Sequence, residues 1–414
     1  MSSSRLTSSE FLITFQHIMS IIQSQFRYLV ETSTTAAVAN KQSHGPVRWK
    51  ASFWEPNSVD PAMMRVPVVL IAFIFLWSAN IFMLDRCCLS YHGVLGIKSG
   101  PLYFSLMTAI FMSVLYGFHM ALSRGLFETS TEVAIVSFYV LVCVTALPCF
   151  PGSEHRSHFY RIMRQIIFPG ATISFPEILV ADALTSVSKV LKDLGVTFTV
   201  FYARSLQSGQ DPVLYHDPAM LLISLLASLP FVLRIRQCYV QLSTATERSS
   251  RTAITLNIIK YFSAFPPIWL AAAASLGYFH PLLPSLTALM ATINSAYSFI
   301  WDIVMDWGLL SLYAPPQDST FRPRTVFPFY LHIIVATLNL ILRFSWASNR
   351  IQSLASLPAS HLVLMIELAE VMRRSMWNIF RIEWEINQVN RNLSLKGELP
   401  EKAVNMKHLP SLSD

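Results

Sequence analysis

The chain has 414 residues, of which 53% are hydrophobic and 13% charged, and its net charge is +7. Soluble domains carry about 25% charged residues, so a water-exposed surface is excluded for most of the chain and lipid must supply the solvation. Lys and Arg crowd into the N-terminal segment, a few loops and the tail, a pattern of membrane topology rather than of nucleic-acid binding.

Residues 1–64 are Ser/Thr-rich, and 11–30 fit an amphipathic helix, either lying on the membrane or packed on a bundle. The run 66–84 (VPVVLIAFIFLWSANIFML) is apolar over the length that crosses a bilayer. It is too long and too far from the N-terminus to be a cleaved signal peptide. Spans 102–122 and 133–151 follow. The stretch 153–170 (SEHRSHFYRIMRQIIFPG) is too basic for a lipid-facing span and reads as an interfacial or buried helix. Next come 174–203, which carries Asp182, Lys189, Lys192 and Asp193, and then 218–235, 256–279, 283–303, 326–347 and 361–382.

The loops at 236–254 and 309–325 and the tail are basic, whereas 205–217 has no Lys or Arg and 348–360 has only Arg350. The positive-inside rule puts the basic set, with the N-terminal segment, in the cytosol. Two cytosolic ends need an even number of crossings, so 153–203 is expected to cross twice, giving an all-α bundle of about ten transmembrane helices. The expected organisation is a cytosolic segment 1–64, scaffold helices 65–152, a transport core 153–390 and a cytosolic tail 391–414. The sequon Asn392-Leu393-Ser394 then lies in the cytosol and stays unused.

Five cysteines (Cys87, Cys88, Cys143, Cys149, Cys238) form no CxxC pair or Cys/His cluster, and His119, His280 and His332 are scattered. Neither a metal site nor a cofactor is expected. There is no nucleophile–base pair and no phosphate loop, so an enzyme is not expected either.

The informative residues are charges inside apolar spans: Asp182, Lys260, Asp302, Asp306, Arg343, Glu370, Arg373 and Arg374. Each costs about 2.5–3.5 kcal/mol at a helix centre unless it finds a partner. Four acids and four bases suit a self-neutralising network. Three Arg and one Lys also suit a cage for a tetrahedral oxyanion, because guanidinium forks match phosphate and ammonium acts as a point charge. Asp302 and Asp306 are four apart, which on an α-helix puts both carboxylates on one face. There they can orient the arginines and keep the anion from binding too tightly to leave.

Four segments resemble the EXS family of phosphate exporters: FPEILVADALTSVS (175–188), FIWDIVMDWGL (299–309), NLILRFSW (339–346) and EVMRRSMWNIFRIEWE (370–385), with NIIKY (257–261) as a shorter fifth. The resemblance covers about 155–390. It implies inorganic phosphate as substrate and a pore between the later helices. It also assigns phosphate contact to Asp182, Thr185, Ser188, Lys260, Tyr261, Asp302, Asp306, Arg343, Glu370, Arg373 and Arg374, with Trp346 beside the path. Two features depart from the plasma-membrane members. No segment of SPX-domain size precedes residue 65, and Gln237-Cys238 is followed by YVQLS rather than a basic R-R-Y string. SPX-linked gating is therefore not expected. The short form is similar to the SPX-less, ER-retention-defective type, which implies a Golgi membrane protein returning phosphate from lumenal glycosylation to the cytosol. A homodimer, Golgi glycosyltransferases and a coat adaptor are the partners this suggests. The alternative is a sorting protein that retains Golgi enzymes without transporting anything.

Overall fold

The computed structural model describes residues 61–87, 89–97, 101–123, 153–205, 216–276, 281–313, 325–350 and 359–395. The expected helix at 11–30, the span 133–151 and Cys88, Cys143, Cys149 and His280 lie outside them. Every regular element among the described residues is a helix, as an apolar chain requires where lipid offers the backbone no hydrogen bonds. Among the described residues, four helices are long and apolar enough to cross a membrane, over Arg65–Arg86, Leu102–Ala121, Pro218–Thr244 and Leu283–Leu312.

The first layer is α1 (Pro61–Arg86), a short α2 (Tyr91–Leu95) and α3 (Pro101–Ser123). α3 folds back along α1, and the Ser78 hydroxyl donates to Ser105 at 2.9 Å. The outer face of α3 presents Tyr103, Leu106, Ile110, Val114 and Phe118, an apolar stripe suited to lipid. α4 (Ser153–Ile167) is 15 residues long and carries Arg164 in its last turn. At about 22 Å it is too short to span. It lies beside α5 (Phe175–Ser186), with Ile162 and Ile166 packed on Ala181.

α5 and α6 (Ser188–Ser205) form one broken path alongside α7 (His216–Thr244). The register is antiparallel throughout: Asp182 meets Arg234, Ser188 donates to the Ala227 carbonyl at 2.6 Å, and Gly195 faces Ile223 and Leu226. The expectation that 153–203 crosses twice is therefore not met. α4 is too short and too basic to cross, and α5–α6 make one traverse. α8 (Arg248–Phe262) and α9 (Phe265–Ser275) make another broken traverse, interrupted at Ser263–Ala264 just before Pro266-Pro267.

α10 (Leu283–Trp301) runs into a π-helical turn, Asp302–Asp306, in which the Trp307 N–H reaches back five residues to the Asp302 carbonyl at 2.8 Å. Gly308 (φ +57°) then lets α11 (Leu309–Tyr313) restart. α12 (Phe329–Arg343) stops at Phe344 and passes into a 3-10 segment, Ser345–Arg350. α13 (Ala359–Leu395) runs unbroken for 37 residues.

α13 is the spine. It packs on α1, α5 and α12. The main apolar cluster gathers Ile81, Leu84, Trp307, Phe327, Trp377 and Phe380 around it. α1 runs parallel to it: Arg65 lies near Glu367, while Asn80 donates to the Ser375 carbonyl at 3.1 Å. The two helices thus begin on the same face of the bundle.

Candidate functional site

Four of the five broken or junctional points in the later helices surround one cavity of about 390 Å³. Asp182, Thr185 and Ser188 bracket the α5–α6 break, Lys260 and Tyr261 precede the α8–α9 break, Asp302 opens the π turn, and Arg343 and Trp346 flank the end of α12. A helix interruption frees backbone groups and turns side chains inward, so it is tolerated at membrane depth only where it lines protein or a cavity. Glu370, Arg373 and Arg374 enter from the continuous α13. Eleven of the twelve residues expected from the sequence line the cavity.

The twelfth, Asp306, does not. The π turn separates its environment from that of Asp302. Asp302 accepts a hydrogen bond from Asn339 at 3.0 Å and one from Arg343, with Arg373 Nη1 at 3.6 Å. Asp306 lies behind the wall, 3.8 Å from Lys260 Nζ and 3.9 Å from Arg381 Nε. The two carboxylates divide the cations between them instead of facing a ligand as a pair.

Other wall residues are also committed. Glu370 takes Arg373 as a fork, at 2.8 and 2.5 Å, and Arg373 also donates to Asn339 at 3.2 Å. The Tyr261 hydroxyl donates to Asp182 at 2.5 Å, and Arg234 Nε lies 2.9 Å from the same carboxylate. Lys260 sits over the Tyr261 ring at 4.5 Å and the Trp301 ring at 5.1 Å. The Trp346 indole donates to Ser295 at 3.1 Å, tying the 3-10 segment to α10. The Ser188 hydroxyl donates to a backbone carbonyl, which leaves only its acceptor side toward the cavity.

Arg374 differs from these. Its guanidinium donates to two neutral hydroxyls, Ser186 at 2.8 Å and Thr185 at 3.2 Å, and stacks on Trp377 at 4.4 Å. It joins none of the ion pairs among the described residues.

Sequence reasoning missed three residues here. Arg234, 1% exposed, pairs with Asp182 and closes the floor of the cavity with Tyr261. It stands at the end of an apolar run, where an arginine reads as a flank. Its buried neighbour Gln237, which accepts from it, was the available signal. Lys189 and Lys192, noted in the sequence only as charges within the span 174–203, line the cavity toward its mouth. Together the wall carries six cations (Lys189, Lys192, Lys260, Arg343, Arg373, Arg374) against three carboxylates (Asp182, Asp302, Glu370), a surplus of three positive charges. Such a wall carries a net positive potential.

Outside the cavity, His332 is buried against Glu383 at 3.2 Å, and Glu383 also accepts the Val326 N–H at 2.6 Å. His119 is buried as well. Both are packed residues.

Comparison with known proteins bears on this geometry. The model of the EXS family matches residues 61–387. The chain is 30% identical over 295 residues to Protein ERD1 homolog 1 of Schizosaccharomyces pombe, covering 68% of this chain and 78% of that protein. It is 25% identical over 350 residues to Phosphate transporter PHO1 homolog 8 of Arabidopsis thaliana, covering 79% of this chain and 45% of the relative. To Phosphate transporter PHO1 of the same plant it is 27% identical over 295 residues, 67% of this chain and 36% of that one. The chain thus spans less than half the length of these two plant relatives.

Proposed function

The chain belongs to the EXS family, and on that premise we propose that it carries inorganic phosphate across an intracellular membrane through the cavity at the four helix breaks. The observation that carries this reading is the surplus of three positive charges on a wall made of forks and point charges, with Arg374 bonded to hydroxyls and stacked on Trp377 rather than ion-paired to a carboxylate. A purely structural network would be neutral and would give each guanidinium a carboxylate. Phosphate supplies the missing negative charge, and the neighbouring acids keep its release fast.

The cavity reaches from Asp182 and Asp302 toward Met220 and Ser275, on the face where α1 and α13 begin. Its other end is floored by Arg234–Asp182–Tyr261 and by Lys260–Asp306–Arg381. Basic loops favour the cytosol for the floored side, so the open mouth faces the lumen. Passive return of phosphate from the Golgi lumen to the cytosol fits this arrangement. Support of glycosylation and of Golgi-enzyme retention would follow from clearing the by-product, and partners such as a second copy, glycosyltransferases or a coat adaptor belong to the same proposal.

The test is phosphate flux in proteoliposomes holding the purified full chain, with sulfate and chloride as competitors. Saturable flux that phosphate itself competes best is expected. A protein that moves no phosphate, while its loss mislocalises Golgi enzymes, would favour a sorting role instead.

A further inference from the structure

Two cations on the wall have no part in the network described above. Lys189 and Lys192 stand three apart on α6, which puts them on neighbouring positions of one helix face, and both are exposed while lining the cavity. Two of the three carboxylates around them are already engaged, and Glu367 acts on both lysines from beyond ion-pair distance. Asp193 receives Arg65 at 2.6 and 3.0 Å, Glu367 lies 3.8 Å from the same guanidinium, and Glu370 is held by Arg373. Neither lysine joins any of these ion pairs.

Their position is set by packing. Ser188 is bonded to α7, and Gly195 lets α7 approach so closely that a Cβ there would meet Leu226 at 3.0 Å and Ile223 at 3.3 Å. Thr185 holds Arg374 near the base of the wall. Lys189 follows about 6 Å outward along the axis and Lys192 about 10 Å outward. The result is a ladder of positive charge running from the mouth to Arg374, none of it in direct ion pairs among the described residues, with Glu367, Glu370 and Asp193 acting on Lys189 from a distance.

We propose that Lys189 and Lys192 form an outer oxyanion-binding vestibule that captures phosphate at the open mouth and passes it to the deeper cations. The inference rests on the transport reading above. Its chemistry differs from that of the inner site. An exposed ammonium is a hydrated point charge that binds weakly and lets go quickly, whereas buried guanidinium forks bind tightly. A weak outer site followed by a stronger inner one is what throughput needs. Charge at a cleft mouth raises the encounter rate of an anion, and salt screens it beyond about 8 Å at physiological ionic strength.

The experiment measures initial phosphate entry from the mouth side in proteoliposomes, over a range of phosphate concentrations at low and high ionic strength set with potassium gluconate. The variants are Lys189→Gln/Lys192→Gln and the charge-retaining Lys189→Arg/Lys192→Arg. At low salt the Gln double variant should raise the half-saturating phosphate about fivefold while the saturated rate falls far less, and high salt should close the gap. The Arg double variant should keep the wild-type half-saturation. A Gln variant that matches wild type at every salt concentration overturns the vestibule alone. A wild type that moves no phosphate overturns the transport reading and the vestibule with it. Repeating the series with and without anionic lipid separates free phosphate from lipid headgroups. A lysine effect present only with anionic lipid assigns these residues to headgroups and overturns the proposal; an effect in both supports it.

Discussion

At the scale of single residues, the buried arginines Arg234, Arg343 and Arg373 pair with carboxylates, whereas Arg374 is bonded to hydroxyls, and we assign it to the phosphate path. Arg234 is enclosed by Asp182, Tyr261 and Gln237. Arg234→Leu therefore strands a buried carboxylate, and a loss of about 3–5 kcal/mol is expected. It should appear as a sharp fall in the amount of folded protein after detergent extraction. Arg374→Gln gives up no ion pair, so the protein should accumulate normally while phosphate flux drops at least tenfold. Flux near the wild-type level in Arg374→Gln would remove this guanidinium from the pathway. Asp302 is intermediate, since it sits against both Arg343 and Arg373. Asp302→Asn keeps the shape but leaves the wall one charge more positive. Phosphate should then bind more tightly and leave more slowly, so half-saturation and maximal rate should fall together. An unchanged maximal rate would contradict this assignment.

These charged residues were legible in the sequence because charge inside an apolar span is conspicuous and expensive. Their pairing was not. The spacing of Asp302 and Asp306 suggested a shared face, but a π turn sends them to different partners, and no local pattern in WDIVMDW distinguishes that turn from an α turn.

At the scale of elements, the helix breaks organise the site. Each supplies a polar residue to the cavity from a helix that must otherwise remain apolar outside, since Ile259, Phe262, Ile300 and Ile341 are all exposed next to them. Gly308 is the most constrained of the junctions. Its φ of +57° falls in the left-handed region, and a Cβ there would stand 2.4 Å from the Trp384 ring. Gly308→Ala is expected to destabilise by at least about 2 kcal/mol, from backbone strain of about 1–2 kcal/mol together with the ring overlap. Thermal unfolding in detergent checks it. Trp384→Ala in the same chain should restore only part of the loss, because it relieves the overlap and not the dihedral; full restoration would show that the backbone carries no strain. Of the breaks, the α8–α9 junction alone has a proline pair beside it, Pro266-Pro267, although 256–279 reads from the sequence as one span.

At the scale of the whole molecule, the parallel run of α1 and α13 places Pro61 and Leu395 at opposite faces of the bundle. Cysteines introduced beside these two positions in a cysteine-free background should react with an impermeant maleimide from opposite sides of a sealed vesicle. Labelling from one side would contradict the parallel packing. The expected cytosolic placement of both the 1–64 segment and the tail conflicts with this parallel packing, which sets the start of α1 and the end of α13 on opposite faces. Asn392, exposed in the last turns of α13, is expected to carry no glycan. A glycosylated form that shifts on deglycosidase treatment would put the end of α13 in the lumen.

What the sequence determined by itself was the solvent and the chemistry. A chain with 13% charged residues and repeated apolar runs must fold as helices in lipid, and the charges kept inside those runs must meet one another or a ligand. Those conclusions need only composition and span length. The tertiary structure decided which charges are neutralised and which remain available. Arg234 and Arg374 both lie in apolar helices, and they differ only in what the neighbouring helices bring to them: a carboxylate in one case, two hydroxyls in the other. Partnership across 188 residues of sequence, as between Ser186 and Arg374, depends on packing register and direction, which hydrophobic periodicity along one helix does not encode.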